Sequence, residues 1–357
     1  MPIEPIETRA RLYYIDALRA LACLCVIAIH ISAGYVIKDF GSFDFWVGNG
    51  WDSVARIGVP LFVMLSGALM LDEGYSYSKK KLIGHIVKLC LFFVFWSATY
   101  CFIFQVAQPI AKGDALNFKY ILSTLVYGHV HLWFIYMIIG LYALVPLLRL
   151  WVCRANKRYV EYFLILALVF TFALPQMAKA GSVFFPILEY VQTTTDKFYL
   201  NYVGGFTAYF ILGWYLRTYD FSQKRLLYAL GVIGLAITFI GTYFLSSVSN
   251  SAIQMYEHLY LNVFFQSAAI FVFVKSAFLE FEPSNGIAWR LTAALSKYSL
   301  GIYAIHAGIV VVIAKLVVKI CPFGAIVCVP IEFVLVASIS LGLTFLMSKI
   351  PLLKKVV

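Results

Sequence analysis

Residues 14–30 read Tyr-Ile-Asp-Ala-Leu-Arg-Ala-Leu-Ala-Cys-Leu-Cys-Val-Ile-Ala-Ile-His, an apolar run that carries three ionisable side chains, Asp16, Arg19 and His30. The run extends from about residue 13 to residue 36, which is longer than the ~20 residues that a helix needs to cross a bilayer. It lacks a small-residue cleavage site, so it predicts a retained transmembrane helix and not a signal peptide.

The composition of the whole chain indicates a membrane protein. Of 357 residues, 62% are apolar or aromatic and 13% are charged, the latter about half of the ~25% typical of soluble domains. So few polar residues cannot cover so much apolar surface, which excludes a water-soluble globular fold, and the many aliphatic and aromatic residues exclude disorder. The long unbroken runs differ from the short alternating segments of an outer-membrane barrel.

Apolar runs bounded by charges, glycine or proline predict ten membrane-spanning helices. They lie near residues 13–36, 54–71, 82–106, 131–150, 160–177, 199–217, 226–247, 257–279, 297–319 and 325–348. The sequence therefore predicts an all-α polytopic bundle of about ten transmembrane helices, organised as a single integral-membrane domain over residues 1–357.

The basic residues encode an orientation for this bundle. The net charge of +11 does not come from a nucleic-acid-binding domain, because the lysines and arginines stand in short clusters between apolar runs. With ten spans, the loops on the N-terminal side hold 18 of these residues and the alternate loops hold six. Since cytoplasmic loops carry the excess of Lys and Arg, this distribution predicts both termini in the cytoplasm.

Two ionisable side chains of the first span share one helical face. Arg19 and His30 are eleven residues apart, which places them ~20° apart around a helix and ~16 Å apart along it. Charged groups inside hydrocarbon are costly, so they predict a polar passage with a cation at one end and an imidazole at the other. Asp16 is close enough to pair with Arg19. The alternative is an interfacial Asp16–Arg19 ion pair beside a packed structural histidine.

Three further motifs place polar groups in or next to apolar runs. The second run begins with Arg56-Ile-Gly-Val-Pro-Leu-Phe-Val-Met-Leu-Ser-Gly, and this arginine either stabilises an oxyanion or extends to the outer headgroups. His131-Leu-Trp133-Phe opens the fourth run, as a sugar-binding surface or as part of an aromatic belt. Ser299-Leu-Gly-Ile-Tyr303-Ala-Ile-His306 places a phenol and an imidazole on one helical face, as site residues or as a structural pair.

The cysteines and histidines do not predict a metal site. The seven cysteines form no CxxC pair, and no His, Asp or Glu pair has the spacing of a metalloprotease helix. Cys321 and Cys328 have a spacing that leaves a disulfide open if their loop faces an oxidising compartment.

Together these motifs resemble the membrane acyltransferase-3 family. The arginine and histidine separated by ten residues are the specific part, and the resemblance covers essentially the whole chain, most closely the stand-alone O-acetyltransferases. It implies transfer of an acyl group, usually acetyl from acetyl-CoA, to a hydroxyl of a cell-surface polysaccharide or lipid-linked glycan at the bacterial cytoplasmic (inner) membrane. It also implies that the essential arginine and histidine of the family are Arg19 and His30.

These expectations combine into one hypothesis. Arg19 binds the phosphates of acyl-CoA, His30 acts as general base, and Arg56 stabilises the tetrahedral oxyanion. The expected partners are acyl-CoA, a glycan acceptor and membrane lipids, with no nucleic acid and no bound cofactor. The alternative is a transporter or flippase of a glycan or small anion, although the sequence shows no internal repeat of the kind that transporters carry. The residues expected to bind substrate are Asp16, His131, Trp133, Tyr303 and His306.

Overall fold

The structure is a computed structural model that describes residues 13–37, 40–72, 74, 78–249, 254–278, 281 and 286–357, without the side chains of residues 192, 195, 196 and 200–203. This part of the chain contains helices and no β-strand. The expected all-α bundle is therefore confirmed.

Fifteen α-helices follow one another in this part of the chain. They are α1 (Tyr13–Val36), α2 (Phe43–Ala55), α3 (Gly58–Met70), α4 (Lys79–Cys101), α5 (Gln108–Lys112), α6 (Phe118–Tyr127), α7 (Trp133–Val152), α8 (Lys157–Ala167), α9 (Leu174–Gly181), α10 (Leu188–Asp196), α11 (Leu200–Thr218), α12 (Lys224–Ser249), α13 (Leu261–Ala277), α14 (Ile287–Ile320) and α15 (Ala325–Met347). Two π-helical stretches, Phe102–Ala107 and Leu168–Ala173, join α4 to α5 and α8 to α9.

Within the described residues, eight helical segments are long and apolar enough to cross a membrane. Each overlaps one of the ten predicted runs, and the helix of the ninth run begins at Ile287, ten residues before the predicted start at 297. The other two runs correspond to α11 and to α13, a shorter apolar helix of 17 residues. The side on which the termini lie stays a prediction. Arg9, Arg11 and Lys38, which contribute to the charge count, lie outside the described residues. The eight segments are Tyr13–Val36, Phe43–Met70, Lys79–Lys112, Trp133–Val152, Lys157–Gly181, Lys224–Ser249, Ile287–Ile320 and Ala325–Met347.

The second predicted span begins too late in the sequence. The structure has a helix from Phe43, broken between α2 and α3 at Arg56, whose backbone N–H donates to the Asp52 carbonyl at 3.1 Å. Helix α2 contains polar residues, among them Asn49 and Asp52, which lower its mean hydropathy. The segment was therefore not predicted as part of an apolar run. Both side chains are buried, so α2 is a polar element inside the bundle.

The first helix is central to the bundle. It contacts α2, α3, α13, α14 and α15, and residues on several of its faces are buried. A helix surrounded in this way presents its polar side chains to other helices rather than to lipid. Asp16, Arg19 and His30 are each partly buried against these neighbouring helices.

Helices α3 and α11 are packed backbone to backbone through two glycines. A Cβ atom added at Gly67 would lie 1.8 Å from the carbonyl oxygen of Phe210, and one added at Gly213 would lie 1.9 Å from that of Met64. Small residues permit this close approach in membrane bundles, where dispersion replaces the hydrophobic effect. Gly67 belongs to the Ser-Gly pair that ends the Arg56 motif.

Two arginines cap the C-terminal end of α3. Arg149 donates to the carbonyl oxygen of Met70 at 2.9 Å, and Arg217 donates to that of Ala68 at 2.7 Å. Arg217 also forms an ion pair with Asp72 at 2.8 Å. Since the last carbonyls of a helix lack intrahelical partners and carry partial negative charge, these cations stabilise the end of α3.

Candidate active site

Two imidazoles from different helices meet inside the bundle. His306 of α14 is fully buried, and its Nε2 lies 3.4 Å from Nδ1 of His30 on α1, with ring centroids 4.8 Å apart. Nδ1 of His30 lies 2.8 Å from the carbonyl oxygen of Val26. Nδ1 of His306 lies 2.7 Å from the carbonyl oxygen of Tyr303. Because carbonyls only accept, both Nδ1 atoms are assigned the hydrogen in the neutral rings. Nε2 of His306 then faces the Nδ1–H of His30, and Nε2 of His30 is the nitrogen that can accept a proton.

A second pair of histidines extends this cluster from the start of α7. His131 is 2% exposed, and its ring centroid lies 6.3 Å from that of His30 and 5.4 Å from that of His306. Its Nδ1 lies 3.0 Å from Nδ1 of His129, and its backbone carbonyl accepts the hydroxyl of Tyr303. Four of the six histidines of the chain, His30, His129, His131 and His306, form what we call the histidine cluster.

Tyr100 of α4 holds one side of the histidine cluster in place. Its hydroxyl donates to the carbonyl oxygen of Ala304 at 2.7 Å and accepts from the N–H of Gly308 at 3.1 Å. Its ring stacks on that of His129, with centroids 4.5 Å apart and an interplanar angle of 22°. These contacts connect α4 to α14 and fix the plane of the His129 ring.

The guanidinium of Arg56 is held by a buried carboxylate. Its Nε and Nη2 donate to the two oxygens of Asp52 at 2.5 and 2.9 Å, and Asp52 is 1% exposed. The guanidinium also lies over the ring of Tyr256, 4.6 Å from its centroid. Both charges interact electrostatically with His30. The expected arginine is therefore part of an ion pair beside the histidine cluster.

Trp133 lies apart from the histidine cluster, in a neighbouring aromatic group. It is 39% exposed, and its ring stacks with that of His258 at a centroid distance of 5.8 Å. Phe206 contacts both rings, at 5.7 Å from Trp133 and 6.5 Å from His258. An exposed indole with one face supported suits the stacking of a ring-shaped ligand.

Arg19 opens onto a cavity of about 260 Å³ between α1, α3, α4, α7 and α14. At one end the walls include Arg19 together with His85 and Lys88 of α4, and Tyr303 lines the same cavity. His30 is not part of the lining; Tyr303 connects the two regions, because its hydroxyl bonds to His131. Apolar side chains occupy much of the wall. The cavity is therefore not the continuous polar passage from Arg19 to His30 that the sequence predicts: it is polar at the arginine and largely apolar beyond it. The other lining residues include Val26, Phe62, Phe134, Ile135 and Ile138.

Asp16 is bound to the neighbouring helix α14. Its Oδ1 accepts a hydrogen bond from the Ser296 hydroxyl at 2.6 Å. This contact fixes the start of α1 against α14, one turn before Arg19. A positioning role for Asp16 is therefore as well supported by the geometry as contact with substrate.

The predicted site residues fall into three groups. His30, His131, Tyr303 and His306 come together in the histidine cluster. Asp16 and Arg19 lie one or two helical turns into α1, and Arg19 lines the basic end of the cavity. Arg56 and Trp133 belong to the polar and aromatic surroundings of Tyr256 and His258.

Sequence reasoning missed several residues of the site. The sequence contained a pattern that could have indicated Asp52: it stands four residues before Arg56, the spacing of an ion pair on one helical face. His85 and Lys88 could also have been indicated, because two polar side chains three residues apart in an apolar run share one helical face. No sequence pattern could have indicated Tyr100, because nothing in its own segment distinguishes it from a packed tyrosine.

The described cysteines and histidines form no metal centre. No group of three or more His, Cys, Asp or Glu side chains in the described ranges is arranged to hold a metal ion. Cys321 and Cys328 are free thiols, and Sγ of Cys328 donates to the Cys321 carbonyl at 3.7 Å.

The comparison with known families agrees with the motif analysis. A family described as an acyltransferase domain matches residues 12–349. No curated protein and no solved structure matches the chain. The family match covers nearly the whole bundle and does not favour a transporter. This chain belongs to the acyltransferase-3 family, and it is a multi-pass membrane acyltransferase.

Proposed function

We propose that this protein is an O-acyltransferase that moves an acetyl or other short acyl group from cytoplasmic acyl-CoA to a hydroxyl of a cell-surface polysaccharide or lipid-linked glycan. The observation that carries the proposal is His30. It shares a face of α1 with Arg19, its Nδ1 is engaged by the Val26 carbonyl, and its Nε2 is left as a base within a buried cluster. An imidazole so placed is suited to deprotonate a hydroxyl.

The donor end of the proposed reaction is the basic end of the cavity. Arg19, His85 and Lys88 line it together, and acyl-CoA carries several phosphate groups. Guanidinium and ammonium groups bind phosphates strongly through charge-assisted hydrogen bonds. The positive-inside distribution of charges favours the cytoplasm at this end, which is the compartment where acyl-CoA is found.

The thioester end of the donor fits the apolar part of the cavity. Between Arg19 and Tyr303 the walls include Val26, Phe62 and Ile135. An acyl-pantetheine arm is long and narrow, so it extends from the basic end towards Tyr303 and brings its thioester next to the histidine cluster. The apolar walls exclude water, which limits hydrolysis of the thioester.

The acyl transfer itself requires one base and a stabilised oxyanion. Nε2 of His30 takes the hydroxyl proton as the oxygen attacks the thioester carbonyl, and the carbon–sulfur bond then breaks. The thiolate leaves and receives the proton from His30. Asp52 accepts hydrogen bonds from Nε and Nη2 of Arg56, which leaves Nη1 for the substrate. Arg56 therefore supplies positive charge for the tetrahedral oxyanion.

The acceptor is proposed to approach from the other side of the bundle. The exposed face of Trp133, supported by His258 and Phe206, offers a stacking surface for a sugar ring. In this arrangement the enzyme lies in a bacterial inner membrane, with donor and acceptor meeting across the bundle.

The test is release of free CoA by membranes that contain the protein, supplied with acetyl-CoA and a surface-glycan extract. With acetyl-CoA supplied below its wild-type KM, His30→Ala and Arg19→Ala are expected to abolish acylation of the glycan while the protein is still inserted. Ser340→Ala, a substitution of a buried hydroxyl on α15, is the matched control and is expected to retain activity. Wild-type levels of acylated glycan from His30→Ala would contradict the proposal.

A further inference from the structure

One nitrogen of the histidine cluster is buried and has no hydrogen-bond partner among the residues that the structure describes. Nε2 of His131 is such an atom, and the residue is 2% exposed. Leaving a buried polar atom unpaired is unfavourable, and such atoms in native proteins call for an explanation. The ring centroid of His131 lies 5.4 Å from that of Tyr303, which lines the cavity at the end where the thioester is proposed to arrive.

The hydrogens of the neighbouring rings are fixed by backbone carbonyls. His30 and His306 each point Nδ1 at a carbonyl oxygen, at 2.8 and 2.7 Å. Both rings therefore present lone pairs at Nε2 when neutral. A lone pair at Nε2 of His131 would add a third unprotonated nitrogen to the buried cluster, whereas an N–H there avoids that repulsion.

His129 is able to determine which nitrogen of His131 carries the hydrogen. The two Nδ1 atoms are 3.0 Å apart, so one donates and the other accepts. Stacking on Tyr100 and on Phe104, at centroid distances of 4.5 and 5.3 Å, holds the His129 ring in place. If Nδ1 of His129 donates, Nδ1 of His131 accepts, and the hydrogen of His131 is on Nε2.

We propose that Nε2–H of His131 donates a hydrogen bond to the acyl carbonyl oxygen, and that His129 is the positioning residue that keeps the hydrogen on this nitrogen. The inference rests on the proposed function and assigns a second oxyanion donor beside Arg56. During transfer His131 keeps its proton. The hydroxyl proton goes to His30 and then to the departing thiolate. The oxyanion accepts a hydrogen bond from His131 from its formation until the carbon–sulfur bond breaks.

The first test separates kcat from KM with acetyl-CoA as the donor. Removal of one oxyanion donor lowers kcat by roughly 100-fold or more, so His131→Leu is expected to lose about that much kcat with little change in KM. His131→Gln, whose amide places an N–H near the position of Nε2, is expected to recover at least ~10-fold over the leucine variant. A kcat for His131→Leu within about threefold of wild type would overturn the inference.

The positioning role of His129 is tested by an isosteric pair of substitutions. Asn at position 129 can donate to Nδ1 of His131, whereas Asp can only accept and forces the hydrogen of His131 onto Nδ1. His129→Asp is therefore expected to lose kcat as His131→Leu does, and His129→Asn is expected to retain much more of it. Equal kcat values for the two variants would overturn the role of His129.

A measurement without turnover completes the test. Nitrogen-15 NMR of histidine-labelled protein distinguishes protonated from unprotonated ring nitrogens, and His131→Leu identifies the signal. The inference expects a protonated Nε2 at neutral pH, and an unprotonated Nε2 would overturn it. Absence of acyl transfer by the wild-type protein would instead overturn the proposed function, and the inference with it.

Discussion

A buried ion pair fixes the position of Arg56 at the break between α2 and α3. Asp52 accepts two hydrogen bonds from the guanidinium, and Arg56 also packs over Tyr256. The pair brings a carboxylate with 1% exposure into the protein interior, where an unpaired charge is strongly unfavourable. The two residues therefore depend on each other.

Replacement of Asp52 by alanine is expected to destabilise the protein by about 3–5 kcal/mol, because it leaves the Arg56 charge without its partner. The measurement is the free energy of unfolding in detergent. The double variant Asp52→Leu/Arg56→Leu removes both charges and is expected to lose less. A single variant as stable as the wild type would show that water or lipid headgroups already compensate Arg56.

Individual site residues were predictable where an ionisable group interrupts an apolar run. Arg19, His30 and His306 are of this kind, and the cost of placing them in hydrocarbon marks them. Their mutual contact was not predictable, since His30 and His306 are 276 positions apart in sequence. Asp52 was missed because the second predicted run began only at residue 54, so the helix that carries Asp52 was not predicted.

At the level of helices, the contact between α3 and α11 depends on the two glycines that allow the backbones to touch. The atoms that a Cβ at Gly67 would meet belong to the backbone of Phe210, which cannot rotate away as a side chain can. The same holds at Gly213 against Met64. Substitution at either position has to move a whole helix.

Gly67→Ala is expected to destabilise the bundle by about 1–3 kcal/mol, the usual cost of overpacking, through separation of α3 from α11. The matched control is Gly342→Ala on α15, where an added Cβ meets nothing within 4 Å. That control is expected to be neutral or stabilising by up to about 1 kcal/mol, because alanine favours helix over glycine. Equal melting temperatures for the two variants would contradict this description of the interface.

The helices themselves followed from hydropathy, whereas their interruptions did not. All ten predicted runs have a helix in the structure, yet the break at Arg56 and the π-helical stretches Phe102–Ala107 and Leu168–Ala173 went unpredicted. A π-helical turn changes the backbone register locally and leaves no mark in mean hydropathy. Tertiary packing decides where such a turn occurs.

For the whole molecule, the proposed reaction requires a fixed orientation in the membrane. The donor enters at the basic end of the cavity, where Arg19, His85 and Lys88 lie. The excess of Lys and Arg in alternate loops predicts that this end faces the cytoplasm and that both termini lie there.

Reporter domains fused to each terminus test this orientation. A reporter that is active only in the cytoplasm is expected to be active at both ends of the chain, and one that requires export is expected to be silent at both. Opposite results at the two ends would require an odd number of spans. Activity of the exported reporter at both ends would place both termini outside the cytoplasm. The basic end of the cavity would then face away from the compartment that holds acyl-CoA, which would contradict the proposed entry of the donor.

The most direct test of the account is a kinetic comparison of Arg19→Gln and His30→Gln with acetyl-CoA as donor. If the cavity binds the donor at one end and the histidine cluster performs the transfer at the other, Arg19→Gln raises the KM for acetyl-CoA and retains measurable kcat. His30→Gln then lowers kcat by at least ~100-fold, which is within the range for loss of a general base. An unchanged KM for Arg19→Gln together with a wild-type kcat for His30→Gln would contradict it.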